Sequence, residues 1–426
     1  MHDTPRPLPP PHERWRRPIH AFGWFVFAGT AVVLAVYFTA PTPDWAAMMY
    51  AAATSTPPQP PTPAMQIVRH IPMPKEVRGV YMSAPTAASA TQRASIFSYL
   101  KRNRLNAVVI DLKDSDGRLA FVPERASLKA TAPETATIRN LDAVLEEAGT
   151  QKIYRIARIF VFQDPAFVAR FPETAIQKKG GGVWADHKGM VWVNAASKAA
   201  WAYNAEIARE AYARGFDEVQ FDYIRFPSDG DMTAISYAPE EEARPKHEVL
   251  REFFRYMHDE LEVKERIPVS YDLFGYVTWY LEYDLGIGQL LVDALPNGTA
   301  VSPMVYPSHY GKGTLGYPNP AEHPYEIVAD SLMKANKLYA RRDKECGDLA
   351  AGVKSATSTF LLPCAGTLAV QRPWIQAFDI GAVYDAGMIQ AQINAVRDQH
   401  GGGFLLWNAR NVYRDFDLDA TTTSAL

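Results

Sequence analysis

The chain has 426 residues, 47% hydrophobic and 12% aromatic, with a net charge of −3. That is ample apolar material for a large core, and too much for one small domain. The charge balance leaves no basic footprint for nucleic acid, and the two cysteines, Cys346 and Cys364, exclude a cysteine-built metal cluster while allowing at most one disulfide.

Residues 1–20 carry Arg14, Arg16 and Arg17 and read as a short cytoplasmic tail. The next stretch, AFGWFVFAGTAVVLAVYFTA at 21–40, has no charged residue and the length of a membrane-spanning helix. No Lys or Arg follows until Arg69, so the positive-inside rule puts the N-terminus in the cytoplasm and the remainder outside. Cleavage as a signal peptide, giving a secreted product, is the competing reading, since small residues follow in AAMMYAAATS. Signal h-regions run only about 7–15 residues, which favours an uncleaved anchor. Residues 41–75 contain TSTPPQPPTPAMQ and read as a Pro-rich, extended spacer. The folded part is expected at 76–426.

From there, short apolar runs alternate with helical patterns. The spacing predicts strands at VRGVYMSA (77–84), LNAVVIDLKDSDG (105–117) and IYRIARIFVF (153–162). A segment with two Val-Trp pieces around a glycine turn, KKGGGVWADHKGMVWVN (178–194), predicts a hairpin. Ser197 is placed to cap a helix that stops at Gly215. The fourth strand lies in GFDEVQFDYIRFPSDG (215–230), where period-two alternation puts Val219 and Phe221 on one face and Glu218, Gln220 and Asp222 on the other. Four more follow: IPVSYDLFG (267–275), AVSPMVYPSHYG (300–311), QRPWIQAF (371–378) and GGFLLWNARN (402–411), with helical patterns at 246–263, 324–341 and 386–399. Eight strands alternating with helices fit a closed (β/α)8 barrel better than an open doubly wound sheet, because no G-x-G-x-x-G turn follows the first strand.

In such a barrel the chemistry sits at the C-terminal strand ends. Those ends supply Asp111 and Lys113, Arg158, Asp222 and Arg225, Asp272, Tyr306 and His309, Trp374 and Gln376, and Trp407 and Asn408. Aromatic faces, bidentate groups and paired carboxyls are what a glycosidic bond requires. Trp184 and Trp192 of the hairpin are expected to overhang the rim as one wall of a cleft. No His-x-His or Glu/His ligand cluster is visible, which argues against a metal-dependent hydrolase, and no cofactor is expected.

The motifs AVVIDLKDSDG, FDEVQFDYIRFPSDG, SPMVYPSHY and LLWNARN resemble a bacterial family of glycoside hydrolase-like barrels catalogued as a domain of unknown function, distantly related to α-amylase-like barrels. The resemblance covers residues 76–412 and implies a TIM barrel and a glycosidase activity. In amylase-like barrels the nucleophile is an Asp ending strand four, the position of Asp222. The usual strand-five Glu acid/base is replaced here by Asp272, and an arginine two residues before the nucleophile by Gln220.

The resulting expectation is a membrane-anchored, extracytoplasmic glycoside hydrolase acting on a polysaccharide, with Asp222 and Asp272 as a retaining catalytic pair. Each assignment has a plainer reading. Asp222 pairs structurally with Arg158 or Arg225, Asp111 fixes Lys113 or Arg158, and the tryptophans are core. The rival from another class is a glycan-binding or envelope-scaffold protein whose barrel has lost turnover. An exported compartment permits disulfides, so Cys346 and Cys364 are expected to pair and staple the connection between strands six and seven.

Overall fold

The computed structural model describes residues 69–351 and 362–418. The expected anchor at 21–40 lies outside them. Among the described residues no helix is long and apolar enough to cross a membrane.

Eight parallel strands close on themselves: β1 (Val77–Met82), β2 (Ala107–Lys113), β3 (Tyr154–Phe160), β4 (Glu218–Asp222), β5 (Val269–Phe274), β6 (Ala300–Met304), β7 and β8 (Gly403–Trp407). Strand β7 comes in two pieces, Val370–Gln371 against β6 and Trp374–Gln376 against β8. The break falls at Arg372–Pro373, and a proline has no N–H to give to a ladder. Closure is completed by Trp374 opposite Met304 of β6. This is a TIM barrel.

The outer layer follows from the helical patterns. Helix α1 (Ala90–Arg102) is capped by Ser89, α2 (Leu141–Thr150) by Asn140 and α3 (Lys198–Arg214) by Ser197, each side-chain oxygen taking an orphan N–H of the first turn. Gly215 ends α3 at φ +114°, a left-handed turn that only glycine adopts freely. Helix α4 (Lys246–Met257) runs into a π-helical turn at His258–Val263. Helix α5 (Pro324–Ala350) extends nine residues past its expected end at 341, and α6 (Ala386–Asp398) precedes β8. Between β5 and β6 lie only short helical turns, at Gly275–Thr278, Leu291–Ala294 and Leu295–Asn297.

Two apolar layers result. The large one joins outward strand residues such as Val219 and Phe221 to the helices. The small one fills the barrel itself with Val77, Tyr81, Val109, Tyr154, Ile156, Trp374 and Leu405. All five residues of β4 are buried, so its polar face cannot be a solvent face and every group on it needs a partner.

Residues 69–71 belong by composition to the spacer, yet Ile71 N–H donates to Asp217 Oδ1 at 2.6 Å, and the Arg69 carbonyl accepts from Arg155 Nη2 at 2.9 Å. The chain is therefore clamped to the barrel before Glu76. Cys346 on α5 is bonded to Cys364 in the connection that leads to β7, with their Cα atoms 5.5 Å apart.

Candidate active site

At the C-terminal end of the barrel one cation gathers three acids. Arg158 of β3 reaches Asp111 of β2 through Nη1 at 2.7 Å, Asp222 of β4 through Nη2, and Asp272 of β5 through Nε at 3.3 Å. Strand register explains the meeting: Asp111 lies beside Arg158, Arg158 beside Gln220, and Asp222 two residues further along β4 on the same inward face. The guanidinium is held between rings, 4.5 Å from the centroid of Phe160 and 4.9 Å from that of Trp407. Such faces attract a desolvated cation.

The acids are not equivalent. Asp272 is fully buried; its Oδ1 accepts from Trp374 Nε1 at 2.7 Å. Burial and then the nearby charge of Asp222 raise its pKa well above the ordinary carboxylate range, against the opposing pull of Arg158 and Trp374. Asp222 has one oxygen on Arg158 and the other on the Tyr223 N–H at 2.6 Å. Tyr223 sits at φ +53°, a conformation uncommon outside glycine, immediately after this acid. Asp111 accepts from the Tyr81 hydroxyl at 2.5 Å. An acid whose pKa is raised by burial, set beside a second carboxyl, is the arrangement that lets a site donate a proton and attack with a carboxylate.

Deeper in the barrel a second ion pair repeats the pattern. Glu218 of β4 pairs with Arg372 at the break in β7, and accepts from Ser270 Oγ at 2.5 Å and Tyr154 Oη at 3.1 Å. Gln220, between the two layers, donates to Ser302 Oγ at 3.2 Å. The polar face of β4 thus runs from a structural pair at its base to the Arg158 cluster at its top.

The remaining predicted residues divide. Tyr306 packs edge-on against His309 and Phe378 with ring centroids 5.1 and 5.5 Å away. His309, Trp407 and Asn408 line a cavity of about 490 Å³ together with Phe378 and Arg410. Burial lowers the pKa of His309. Trp407 is half-buried and meets Tyr81 at 4.2 Å, and Trp374, fully buried, serves Asp272. Arg225 is half-buried over the rings of Trp192, Phe274 and Tyr223, at 4.7, 5.3 and 5.6 Å. Among the described residues only its Nη1 makes hydrogen bonds, to the Phe226 carbonyl and Ser228 Oγ.

Other placements depart from the expectation. Lys113 does not reach the cluster. The register slips by one residue between Asp111 and Lys113, and a bulge turns the following side chain to the other face. Its ammonium lies outside the barrel wall, on Asp164 Oδ2 at 2.6 Å and Asn204 Oδ1 at 2.8 Å. Gln376 is spent on the Ser308 N–H and the Phe378 and Ile380 carbonyls, and the Asn408 amide on the Ala377 and Val412 carbonyls. Both hold loops in place. Trp184 and Trp192 are each only 1% exposed, and their indole N–H groups are taken by the Asp231 carbonyl and the Asp186 carboxylate. The hairpin does follow β3, and its base (Gln177–Lys178) pairs with Ile235–Ser236 after β4. Its tryptophans act there as core and offer no open platform.

Sequence reasoning passed over two features. Tyr81 sits only one turn of the alternation above Gly79, and nothing in VRGVYM marks its hydroxyl as a partner for Asp111. The run FGYVTWYLEY after β5 carries Phe274, Tyr280 and Tyr283, all exposed; a long aromatic run reads as core until exposure is known. Among the described residues no group of three or more His, Cys, Asp or Glu side chains is arranged to hold a metal ion.

Residues 79–413 match the DUF4015 family, described as "Putative glycosyl hydrolase domain". The chain belongs to that family. Among solved structures, the glycoside hydrolase domain of PgaB (BpsB) from Bordetella bronchiseptica matches this glycosyl hydrolase family member over 79% of its chain and 95% of the PgaB domain, at 14% identity and a TM-score of 0.52. That is a likeness of fold. A hypothetical protein from Ruminiclostridium thermocellum is 31% identical over 45% of this chain and 96% of its own, with a TM-score of 0.41. The glycoside hydrolase domain of PelA from Pseudomonas aeruginosa matches over 80% and 99% at 11% identity, with a TM-score of 0.41. No curated protein matches the chain.

The cluster has a stability signature. Arg158→Met leaves the buried acids of the cluster without their cation, which should cost about 3–5 kcal/mol in denaturant unfolding at neutral pH. Acid protonates those carboxyls and removes the uncompensated charge, so the deficit should shrink as pH falls. A deficit that stays constant into mildly acidic buffer would mean that lost packing, not lost charge, is responsible.

Proposed function

We propose that this protein is a membrane-anchored, extracytoplasmic glycoside hydrolase that cleaves an envelope or extracellular polysaccharide by a retaining mechanism. The observation that carries the reading is the pairing of Asp222 and Asp272 on a single guanidinium, with Asp272 held towards its protonated form. Asp222 attacks the anomeric carbon while the bond to the leaving oxygen breaks and Asp272 gives that oxygen its proton. Asp272 then takes a proton from water, whose oxygen attacks the same carbon and frees Asp222. Retention calls for carboxyls about 5–5.5 Å apart, inversion for roughly 6.5–9.5 Å; sharing one guanidinium favours the shorter spacing. Arg158 stabilises Asp222 as an anion and as a leaving carboxylate.

One observation favours a second assignment within the same reaction. The side chain of Asp272 is 0% exposed and that of Asp111 is 9% exposed, so Asp111 is the acid with more direct access to a leaving group. The variants separate the two. Asp222→Asn should abolish hydrolysis of 4-nitrophenyl glycosides and polysaccharide alike while leaving the fold intact. The acid/base variant should spare the 4-nitrophenyl substrates, whose leaving group needs no proton. In wild type, turnover should fall on the alkaline side as the raised acid loses its proton, and Asp272→Asn should lack that limb. If Asp111→Asn behaves this way instead, Asp111 takes the role. Wild-type turnover in Asp222→Asn would remove Asp222 as the nucleophile, and a wild-type protein that binds glycans without cleaving them would leave a glycan-binding barrel as the reading.

The topology rests on the uncharged 21–40 stretch and the arginines before it. Reporter fusions after residue 45 should be active only with a reporter that works in an exported compartment, and activity of a cytoplasmic reporter at that point would reverse the orientation.

A further inference from the structure

The exposed aromatic residues of this protein are concentrated in one place. Among the described residues the exposed aromatic side chains of the core-forming types are Phe274 (39%), Tyr280 (47%), Tyr283 (58%) and Tyr325 (37%). The first three fall within ten residues of one connection, directly after β5. Phe274 stands two residues beyond Asp272 on the same strand, so strand alternation puts it on the inward face at the mouth, above the buried acid. It also borders the guanidinium of Arg225 at 5.3 Å. The rings continue outward: Tyr276 to Tyr280 at 6.0 Å, then Tyr280 to Tyr283 at 6.1 Å. The shelf is anchored from behind, with Tyr276 on Tyr310 at 4.9 Å and Trp279 bonded through Nε1 to Ser331. Neither Tyr280 nor Tyr283 spends its hydroxyl on a protein partner among the described residues.

A contiguous exposed aromatic patch on a soluble face marks a binding surface. Rings spaced about 6 Å apart, with free hydroxyls at their edges, suit a ligand that is itself a row of flat units with an apolar face and a polar rim. A chain of pyranose rings has that form. The tryptophans of the β3 hairpin, otherwise the obvious sugar platforms, are buried and unavailable.

We infer that the segment Phe274–Tyr283 is a glycan-chain subsite, holding sugar units of the polysaccharide beyond the bond that is cleaved. It rests on the glycosidase reading above and deepens it: an enzyme with such a shelf acts within or along a chain and gains little from a monosaccharide glycoside. Arg225, whose Nε and Nη2 meet no acceptor among the described residues, supplies donors to the hydroxyls or acidic groups of the unit nearest the mouth.

The test uses the full-length chain in a polyoxyethylene detergent, carrying Asp222→Asn so that binding is read without turnover. Its migration is measured in native gels cast with soluble starch, xylan, β-glucan or glycol chitin. At least one glycan should retard it. In that gel Tyr280→Ala/Tyr283→Ala should raise the dissociation constant roughly tenfold, the loss expected of two stacking rings. Tyr280→Phe/Tyr283→Phe, which keeps the rings, should stay within about twofold. Equal retardation of the alanine variant and its parent overturns the shelf and leaves the glycosidase reading standing. Retardation of the parent in none of the gels overturns the shelf as well, and if wild type also releases no reducing ends from these glycans, the glycosidase reading falls with it.

Discussion

The mouth of this barrel depends on one guanidinium. Arg158 is nearly inaccessible, sandwiched between Phe160 and Trp407, and meets three carboxylates that come from three other strands. A single positive charge does not neutralise three negative ones. The imbalance is resolved in the least hydrated member, Asp272, where burial and the neighbouring charge of Asp222 favour the proton. The same contacts that make the cluster foldable therefore set Asp272 apart from its neighbours as the acid that favours its proton. Stability and reactivity are set by one arrangement, which is why neither the ion-pair reading nor the catalytic reading of Asp222 excludes the other.

The layer beneath obeys the same constraint with a different outcome. Glu218 and Arg372 match one for one, and Ser270 and Tyr154 complete the carboxylate's hydrogen bonds. Along β4 a one-to-one ion pair thus gives way to an over-acidic cluster within four residues, and the transition marks where the barrel stops being scaffold. The break in β7 at Pro373 contributes to both layers, because it separates Arg372, which serves Glu218, from Trp374, which serves Asp272.

Much of this was legible in the sequence because period-two alternation is a strong signal inside a buried strand. It correctly put Glu218, Gln220 and Asp222 on one inward face, and it brought Asp111, Arg158, Asp222 and Asp272 to one rim. It failed where the period itself fails. The bulge after Asp111 sends Lys113 out to Asp164, and no local residue choice announces a bulge there. It also failed where residue type was taken for exposure. Trp184 and Trp192 look like platforms and are core, whereas Phe274, Tyr280 and Tyr283, to which the sequence pattern assigns no role, are open. Gln376 and Asn408 sit at strand ends, where catalytic groups also sit, but their amides are consumed by loop carbonyls, a distinction that only tertiary contacts make. The contacts of Ile71 and Arg69 with the barrel are not legible locally, because their partners Asp217 and Arg155 lie 146 and 86 positions away in the chain.

The central claim is that the acids on Arg158 form a reaction centre with Asp222 as the nucleophile. It is tested most directly by trapping the covalent intermediate. Wild-type protein is incubated with 2-deoxy-2-fluoro glycosyl fluorides of glucose, galactose and mannose, and the labelled residue is located by peptide mass spectrometry. The account predicts a single glycosyl ester on Asp222, absent from Asp222→Asn. A label on Asp111 or Asp272, or turnover of a glycoside of one of these sugars that leaves no ester on any of the three, would contradict it.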